Sequence, residues 1–266
     1  MSKLLLVSGV PVVLVLLLHF VAPIKRNDLS IYDTADWWSK NSSFAILEKM
    51  NSVRVPYFIN HVPKKDRLSI VDLGCGGGLV TENLAKHLPY ATIAGYDMSE
   101  PSITVGREHG KKFGNLSYHV ASIYDLPIRN TSVDVVVISD VLEHLDNLPK
   151  ALNEITRILK PGGIIVFDTI ARSWWSFLST YLIAQEVMGI VERGAHDWSM
   201  FINPDELVEM LTTHGFRTNV NEWEGIVGNL DIVTPFKTGN MAHIIASFSA
   251  SKTDLSASYM GYAVKN

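Results

Sequence analysis

The chain has few cysteines, few charges and no excess of basic residues. Its 266 residues include one cysteine, Cys75, which excludes an internal disulfide and a cysteine-based zinc cluster and favours a reducing compartment. The 23 Lys and Arg against 27 Asp and Glu give a formal net charge of -4, so we expect no nucleic-acid partner. With 47% hydrophobic residues, one large single-core domain is expected rather than disorder.

Residues 4–22 contain no charged side chain and consist mostly of Leu and Val. As a helix this stretch would measure about 28 Å, close to the ~30 Å of a hydrocarbon core, which predicts a single-pass membrane anchor over residues 1–24. A cleavable signal peptide and a mitochondrial presequence are the alternatives, although the small cleavage-site residues of the first and the arginines of the second are missing. More Lys and Arg follow the stretch than precede it, which predicts a cytoplasmic catalytic domain, or a matrix-side one in a mitochondrion.

Strand-like and helix-like runs alternate through residues 25–266, which predicts a single α/β domain. Short turns separate these runs, and no internal repeat occurs. This order predicts a Rossmann-like, doubly wound, mostly parallel sheet that binds its ligand at the carboxyl ends of the strands. The predicted strands are residues 68–73, 92–97, 116–120, 133–138 and 164–168, and the predicted helices are residues 79–87, a helix begun by Ser99, and residues 148–159.

A glycine cluster follows the first predicted strand. Gly74, Gly76 and Gly78 would let a ligand approach the backbone, and Asp97, at the end of the second strand, would accept hydrogen bonds from ribose hydroxyls. The dinucleotide fingerprint needs its third glycine at position 79, which is Leu79. The spacing therefore favours a nucleoside with an amino-acid tail; a merely tight turn and an NAD-dependent oxidoreductase remain the alternatives.

Several motifs together resemble the class I S-adenosylmethionine-dependent methyltransferases over about residues 65–170. They are Asp72-Leu-Gly74-Cys-Gly76-Gly-Gly78, Tyr96-Asp97, Leu126-Pro127, Asp134 and Leu159-Lys-Pro-Gly-Gly163. The resemblance implies a seven-stranded sheet and S-adenosylmethionine as cofactor, with the ribose held at Asp97 and the adenine flanked by Ser122 and Ile123. The cofactor-binding residues it implies are Arg54, Asp72, Gly74, Gly76, Gly78, Asp97, Met98, Ser122, Ile123 and Ser139.

Further stretches are similar to the UbiG-type ubiquinone-biosynthesis O-methyltransferases. They include Asp36-Trp37-Trp38, Met50-Asn-Ser-Val-Arg54, Asp140-Val-Leu-Glu143-His144, Arg193-Gly-Ala-His196-Asp197 and Tyr259-Met260. This resemblance implies methylation of a ring hydroxyl on a polyprenylated acceptor. It also implies that Arg54 contacts the carboxylate of the cofactor and that Ser139 lies beside the cofactor.

The segment from Asp140 to His144 suggests a metal site. If a helix begins at Asp140, then Asp140, Glu143 and His144 share one face, where two carboxylates and an imidazole can hold a divalent cation. In the family a Glu-x-x-Glu-His triplet is implicated in magnesium binding, which implies Mg²⁺ here. The alternative is that these residues form a polar rim of the cofactor cleft.

Methyl transfer to a hydroxyl requires removal of its proton, and imidazole titrates near neutrality. We expect His196, which precedes Asp197, to be the general base, with His144 as the second candidate. A histidine that only fixes a loop is the alternative.

Residues 172–192 form a helix-like run rich in aromatic and aliphatic side chains. Its position after the fifth strand predicts a lid over the acceptor site, and its Trp and Tyr residues suit a hydrophobic acceptor or a membrane interface. A core helix is the alternative. The sequence thus predicts a membrane-anchored O-methyltransferase for a prenylated quinone-type acceptor, with a terpenoid or polyketide methyltransferase or a non-catalytic subunit of a biosynthetic complex as alternatives.

Overall fold

The structure is a computed structural model that describes residues 26–34, 36–39, 42–231 and 244–266. The predicted membrane anchor, residues 1–24, lies outside these ranges. Within them, no helix is both long enough and apolar enough to cross a bilayer. The fold below is therefore that of the domain predicted from residue 25 onward.

The described part of the chain forms one mixed sheet of nine strands. The strands are β1 Ser69–Leu73, β2 Thr92–Asp97, β3 Leu116–Val120, β4 Val133–Ser139, β5 Leu159–Ile170, β6 Phe216–Arg217, β7 Glu224–Leu230, β8 Ile245–Ser251 and β9 Ser258–Lys265. Their order is β3-β2-β1-β4-β5-β9-β7-β8, and the short β6 pairs with β9. Strands β1 to β5 are parallel, whereas β9 is antiparallel to β5 and to β7.

The prediction of a Rossmann-like, mostly parallel sheet is confirmed, but the expected number of seven strands is wrong. Two elements account for the difference. Strand β8 pairs with β7 as an additional edge strand, and β6 is a two-residue strand on β9. The switch in strand order lies at β1, which pairs with both β2 and β4, so a ligand site is expected at their carboxyl ends.

Strand β5 begins earlier than the sequence predicts. The run Lys160-Pro161-Gly162-Gly163 lies within β5 and not in a turn before it, because Leu159 already pairs with Val133 of β4. The register shifts between Val133 and Val135, and Gly162 takes a φ of 71°. The proline and glycines thus form an irregularity within the ladder, which is where such residues are tolerated in a strand.

The helices lie against both faces of the sheet. They are α1 Ala45–His61, α2 Leu79–His87, α3 Glu100–His109, α4 Leu148–Ile158, α5 Trp174–Ser176 and α6 Pro204–Thr213. Ser99 caps α3 by accepting a hydrogen bond from the N–H of Ser102, and Asn147 caps α4 through the N–H of Lys150, as short polar side chains do. The helices predicted at 79–87, after Ser99 and at 148–159 are thus present.

The core has two parts because the side chains of the central strands alternate between the faces. Val136 and Ile138 of β4 pack on the face covered by α4 and α6, and Val135 and Val137 pack on the face covered by α1 and α2. All four side chains are fully buried. This burial on both faces explains the apolar run from Val135 to Ile138 and holds the carboxyl end of that strand in place.

Candidate active site

The carboxylate of Asp97 anchors the loop that follows β1. Its Oδ2 accepts a hydrogen bond of 2.8 Å from the N–H of Gly76, and its Oδ1 accepts one of 2.9 Å from the N–H of Ser99. Burial raises the pKa of Asp97, while these backbone N–H groups oppose the rise. The carboxylate therefore holds the glycine loop and the start of α3 at one point of the cavity wall.

Two tryptophans cover the glycine loop. The ring of Trp37 lies so close to Gly76 and Gly77 that a Cβ at either position would clash with it. The indole N–H of Trp37 donates to Ser102 at 2.8 Å, and that of Trp38 donates to the carbonyl of Gly77 at 3.0 Å. As a result Trp37 and Gly74 line the cavity, whereas Gly76 lies beneath the indole. Gly78 begins α2 with a φ of 92°, a conformation that favours glycine.

The remaining predicted cofactor residues surround the same space. Met98, Ser122 and Ile123 line the cavity beyond the ends of β2 and β3, and Met98 is 68% exposed. Asp72 also lines it but is bound to the hydroxyl of Thr81 at 2.6 Å, and burial raises its pKa to about 7.

Arg54 is paired with two carboxylates inside the protein. Its Nη1 donates to Asp140 and, at 3.3 Å, to Asp168, and the side chain is 2% exposed. The hydroxyl of Ser139 donates to the other oxygen of Asp168. Burial and the charge of Asp140 raise the pKa of Asp168, and Arg54 opposes that rise. Arg54 and Ser139 both line the cavity, so this network forms part of its polar wall.

The expected helix beginning at Asp140 is wrong. Asp140 has a φ of 52°, and only a short 3₁₀ turn, Leu142–His144, follows it. The carboxylate of Asp140 is directed to Arg54, because that buried guanidinium needs a charged partner. Asp140 therefore does not join Glu143 and His144 on one face.

Glu143 and His144 instead form a cluster with His196. One potential metal-ligand atom of each of these three buried residues lies within 4.8 Å of those of the other two. Oε2 of Glu143 accepts from Thr169 at 2.7 Å, while Oε1 has no hydrogen-bond partner in the described part of the chain. Burial raises the pKa of Glu143 well above its usual range. The imidazole rings of His144 and His196 are stacked, with 5.1 Å between their centroids.

Both ring nitrogens of His144 are occupied. The amide of Asn27 donates to the backbone carbonyl of His144 at 3.1 Å, so its oxygen is left to accept from Nδ1 at 2.7 Å. The other nitrogen, Nε2, then accepts from the hydroxyl of Tyr32 at 3.2 Å. Burial lowers the pKa of His144 to about 3, which keeps the ring neutral.

His196 has one ring nitrogen without a hydrogen-bond partner among the described residues. Its Nδ1 lies 3.1 Å from Oε1 of Gln185, and the described residues provide no hydrogen-bond partner for Nε2. Burial lowers its pKa to about 4, against a smaller opposing effect of Asp140, so the ring is neutral at physiological pH. Of the two predicted bases, His196 is the one with a lone pair available.

These groups line one cavity of about 890 Å³. Polar residues that line it come from α1 and from the carboxyl ends of β1, β2 and β4, and we call this set the polar half: Arg54, Asp72, Gly74, Asp97, Ser139 and Asp140. Apolar residues that line it come from the insert and from β7 and β8, which follow β5 and β9 in the strand order, and we call this set the apolar half: Trp175, Ile183, Met188, Ile226, Leu230 and Phe248. The stacked rings of His144 and His196 lie in the wall of the same cavity.

The predicted insert, residues 172–192, is helical but not a regular α-helix. The single turn α5 is capped by Ser173 and continues into a π-helix, Phe177–Val187. Ile183 of this helix faces the apolar half of the cavity. Trp174 and Trp175 are 80% and 55% exposed, so the alternative of a buried core helix does not hold for these positions.

Comparison of the sequence with known proteins identifies the family to which the chain belongs. A family model described as a methyltransferase domain matches residues 71–167. A ubiquinone biosynthesis O-methyltransferase from Coxiella burnetii (strain Dugway 5J108-111) is 33% identical over 183 residues, which cover 68% of this chain and 77% of the relative. The chain belongs to this O-methyltransferase family. A protein of the same name from Rickettsia prowazekii (strain Madrid E) is 29% identical over 217 residues and covers 79% of this chain and 84% of that relative.

Solved structures agree on the fold. A methyltransferase from Thermotoga maritima, described as a possible histamine N-methyltransferase, superimposes with a TM-score of 0.60 at 17% identity, over 88% of this chain and 99% of that one. The prediction of a class I S-adenosylmethionine-dependent O-methyltransferase is thus confirmed. The cofactor is S-adenosylmethionine, not the dinucleotide of the alternative reading.

The side chains around Glu143 and His144 do not form a suitable site for Mg²⁺. Mg²⁺ takes oxygen ligands in near-octahedral geometry and keeps several waters. The buried cluster offers one carboxylate and two imidazoles, and Asp140, the expected oxygen ligand, is bound to Arg54. We therefore assign the magnesium triplet no part in the reaction.

Several residues of the site were not predicted from the sequence. Each of them forms a hydrogen bond with a predicted site residue that lies 11 to 117 positions away in the sequence: Asn27, Tyr32, Asp168 and Gln185. An isolated Asn, Tyr or Gln has no spacing that indicates such a contact. Asp168 had one available signal, since it ends the fifth predicted strand as Asp97 ends the second.

Proposed function

We propose that this enzyme transfers the methyl group of S-adenosylmethionine to a ring hydroxyl of a hydrophobic, prenylated quinone-type acceptor. The observation that carries the proposal is that one cavity is lined by polar residues at the carboxyl ends of β1, β2 and β4, by apolar residues of the insert and of β7 and β8, and by His196. The names of the relatives, ubiquinone biosynthesis O-methyltransferases, support the same acceptor class.

In this mechanism His196 removes the proton of the acceptor hydroxyl. Nε2 takes the proton as the oxygen attacks the methyl carbon in line with its bond to sulfur, and S-adenosylhomocysteine leaves with the electron pair of that bond. The low pKa of His196, about 4, keeps Nε2 unprotonated before the reaction. The positive charge gained by the ring is transient, and the proton passes to solvent after transfer. No metal is needed to balance this step.

The apolar half is suited to the hydrocarbon part of the acceptor. Ile183 and Met188 come from the insert, and Ile226, Leu230 and Phe248 come from β7 and β8, so two separate elements face the same space. Burial of a prenyl chain between them would stabilise the complex by about 25 cal/mol per Å² of apolar surface removed from water. The acceptor is thus positioned by its tail, while its ring reaches the histidine.

We further propose that the enzyme takes its acceptor from a membrane. The exposed indoles of Trp174 and Trp175 adjoin the apolar half and suit a membrane interface. The uncharged stretch at residues 4–22 supports a single-pass anchor with the catalytic domain on the cytoplasmic or matrix side. A partner in a biosynthetic complex stays a prediction of the sequence.

The test is to identify the methylated product. Purified enzyme would be incubated with methyl-labelled S-adenosylmethionine and a prenylated catechol in detergent, next to a terpenoid alcohol and an aqueous cell extract. We expect one label per catechol, located on oxygen by mass spectrometry. Transfer to the terpenoid or to a water-soluble product alone would contradict the proposed acceptor.

A further inference from the structure

Gln185 lies behind His196, on the side away from the cavity. It belongs to the π-helix Phe177–Val187, is 2% exposed and does not line the cavity. Its Oε1 lies 3.0 Å from the backbone nitrogen of His196 and 3.1 Å from the ring Nδ1 of the same residue. One amide oxygen therefore contacts His196 twice.

The neighbours of Gln185 determine which end of its amide faces His196. The backbone N–H of His196 can only donate, so it requires the amide oxygen. On the other side the amide nitrogen donates at 3.0 Å to the carboxylate of Glu186, which accepts. Turning the amide over would place two donors together at His196 and two oxygens together at Glu186. The orientation is thus fixed by chemistry on both sides.

The orientation of Gln185 in turn determines where the proton of His196 lies. A carbonyl oxygen cannot donate, so Nδ1 must carry the hydrogen of the neutral imidazole, and the lone pair is on Nε2. We propose that Gln185 is a positioning residue for methyl transfer, which holds the proton of His196 on Nδ1 and so presents Nε2 to the acceptor. The role in transfer rests on the proposed function of His196 as base; the control of the tautomer does not.

An ion pair between Glu186 and Arg193 supports this arrangement. Glu186 has a buried side chain, and its other oxygen accepts from Nε of Arg193 at 2.8 Å. Arg193, Glu186 and Gln185 therefore form a chain of hydrogen bonds that ends at His196. Replacing a group that orients a metal-bound imidazole costs about 10- to 100-fold in affinity or activity, and we expect a loss of similar size for the orienting partner of His196.

The direct test is the tautomer of His196 in the full-length enzyme. With nitrogen-15-labelled histidine, ring proton-nitrogen correlations distinguish the two tautomers, and the His196→Asn variant identifies the signals among the 9 histidines. We expect Nδ1–H in the wild type and in the double variant Gln185→Glu/Glu186→Gln, which keeps an acceptor at His196 and a donor–acceptor pair between positions 185 and 186, and a shift to Nε2–H in Gln185→Met. An unchanged tautomer in Gln185→Met would overturn the proposal.

Kinetics test the consequence for transfer. Gln185→Met should lower kcat by about 10- to 100-fold with the acceptor KM and the affinity for S-adenosylhomocysteine unchanged, and the double variant Gln185→Glu/Glu186→Gln should keep most of the wild-type rate. Val187→Met, on the exposed side of the same helix, is the control and should behave as wild type. In a His196→Ala background, Gln185→Met should cause no further loss.

Two kinetic outcomes would overturn the proposal in different ways. An equal loss of kcat in the His196→Ala background would mean that Gln185 only supports the fold. A shifted tautomer with unchanged kcat would mean that Nε2 does not take the proton; the control of the tautomer would stand, but His196 would fail as the base of the proposed function.

Discussion

The polar and apolar halves of the cavity are built in different ways. In the polar half, Asp97 accepts hydrogen bonds from the backbone N–H groups of Gly76 and Ser99, and the central strand β4, which ends at Ser139, is buried on both faces of the sheet. In the apolar half, side chains from a π-helix and an edge hairpin face one another. Backbone contacts at a turn demand particular residues at fixed spacings, whereas an apolar surface demands only hydrophobic side chains.

The two halves should therefore tolerate substitution to different degrees. A substitution in the polar half removes a directed hydrogen bond that nothing nearby can replace. A substitution in the apolar half removes part of a surface whose other members still contribute. We therefore expect large effects on chemistry and cofactor binding from single polar residues and smaller, acceptor-specific effects from apolar ones.

The largest effect should come from His196, the residue proposed to remove the proton. His196→Ala should lower kcat by about 10² to 10⁴, because general-base catalysis contributes a factor of that size. Affinity for S-adenosylhomocysteine, measured by calorimetry, should not change. The control is His87→Ala, at an exposed position at the end of α2; equal activities of the two variants would remove His196 from the mechanism.

Cofactor affinity should depend on Asp97. Asp97→Ala removes the acceptor for the N–H groups of Gly76 and Ser99 and the acceptor that the family resemblance implies for the ribose, so binding of S-adenosylhomocysteine should weaken by about 1 to 3 kcal/mol. Asp66→Ala, at an exposed loop position, provides the matched comparison. If calorimetry gave the two variants the same affinity, Asp97 would have no place in the cofactor site.

The apolar half can be tested with a pair of neighbouring positions on the π-helix. Ile183 lines the cavity and Val187 does not, yet the two side chains are 40% and 41% exposed. Ile183→Asn should raise KM for a prenylated acceptor about tenfold through lost apolar contact, with cofactor affinity unchanged. Val187→Asn should leave KM at the wild-type value; similar changes in both variants would contradict the assignment of this half to the acceptor.

The smallest effect concerns the sheet behind the polar half. Asp134 accepts from Lys65, Lys160 and the N–H of Ser69, which together lower its pKa. Because both lysines are partly exposed, we expect Asp134→Asn to destabilise the fold by only about 1 kcal/mol at neutral pH.

The lowered pKa of Asp134 makes the free energy of unfolding depend on pH in a defined direction. Since the folded-state pKa of Asp134 lies below its unfolded value, its contribution is complete above the unfolded pKa and is lost as pH falls through the folded one. Urea unfolding should therefore show the difference between wild type and Asp134→Asn shrinking as the pH falls below about 4. A difference that grew under acid would contradict this assignment.

Much of the polar half could be predicted from the sequence. The strands at residues 92–97 and 116–120 and the helix at 79–87 have the predicted bounds, because apolar runs and glycine turns are local signals. The direction of Asp140 could not be predicted, since it depends on Arg54, which is 86 positions away. The additional strand β8 depends on pairing with β7, and its sequence carries no strong alternation.

The most direct test of the two-halved cavity is kcat/KM as a function of the length of the acceptor tail. A series of catechols with no, one, two and more isoprene units would be compared at saturating S-adenosylmethionine. We expect kcat/KM to rise with the first units through a falling KM, while kcat stays constant and Ile183→Asn reduces the gain. A kcat/KM independent of tail length would contradict the assignment of the apolar half to a prenylated acceptor.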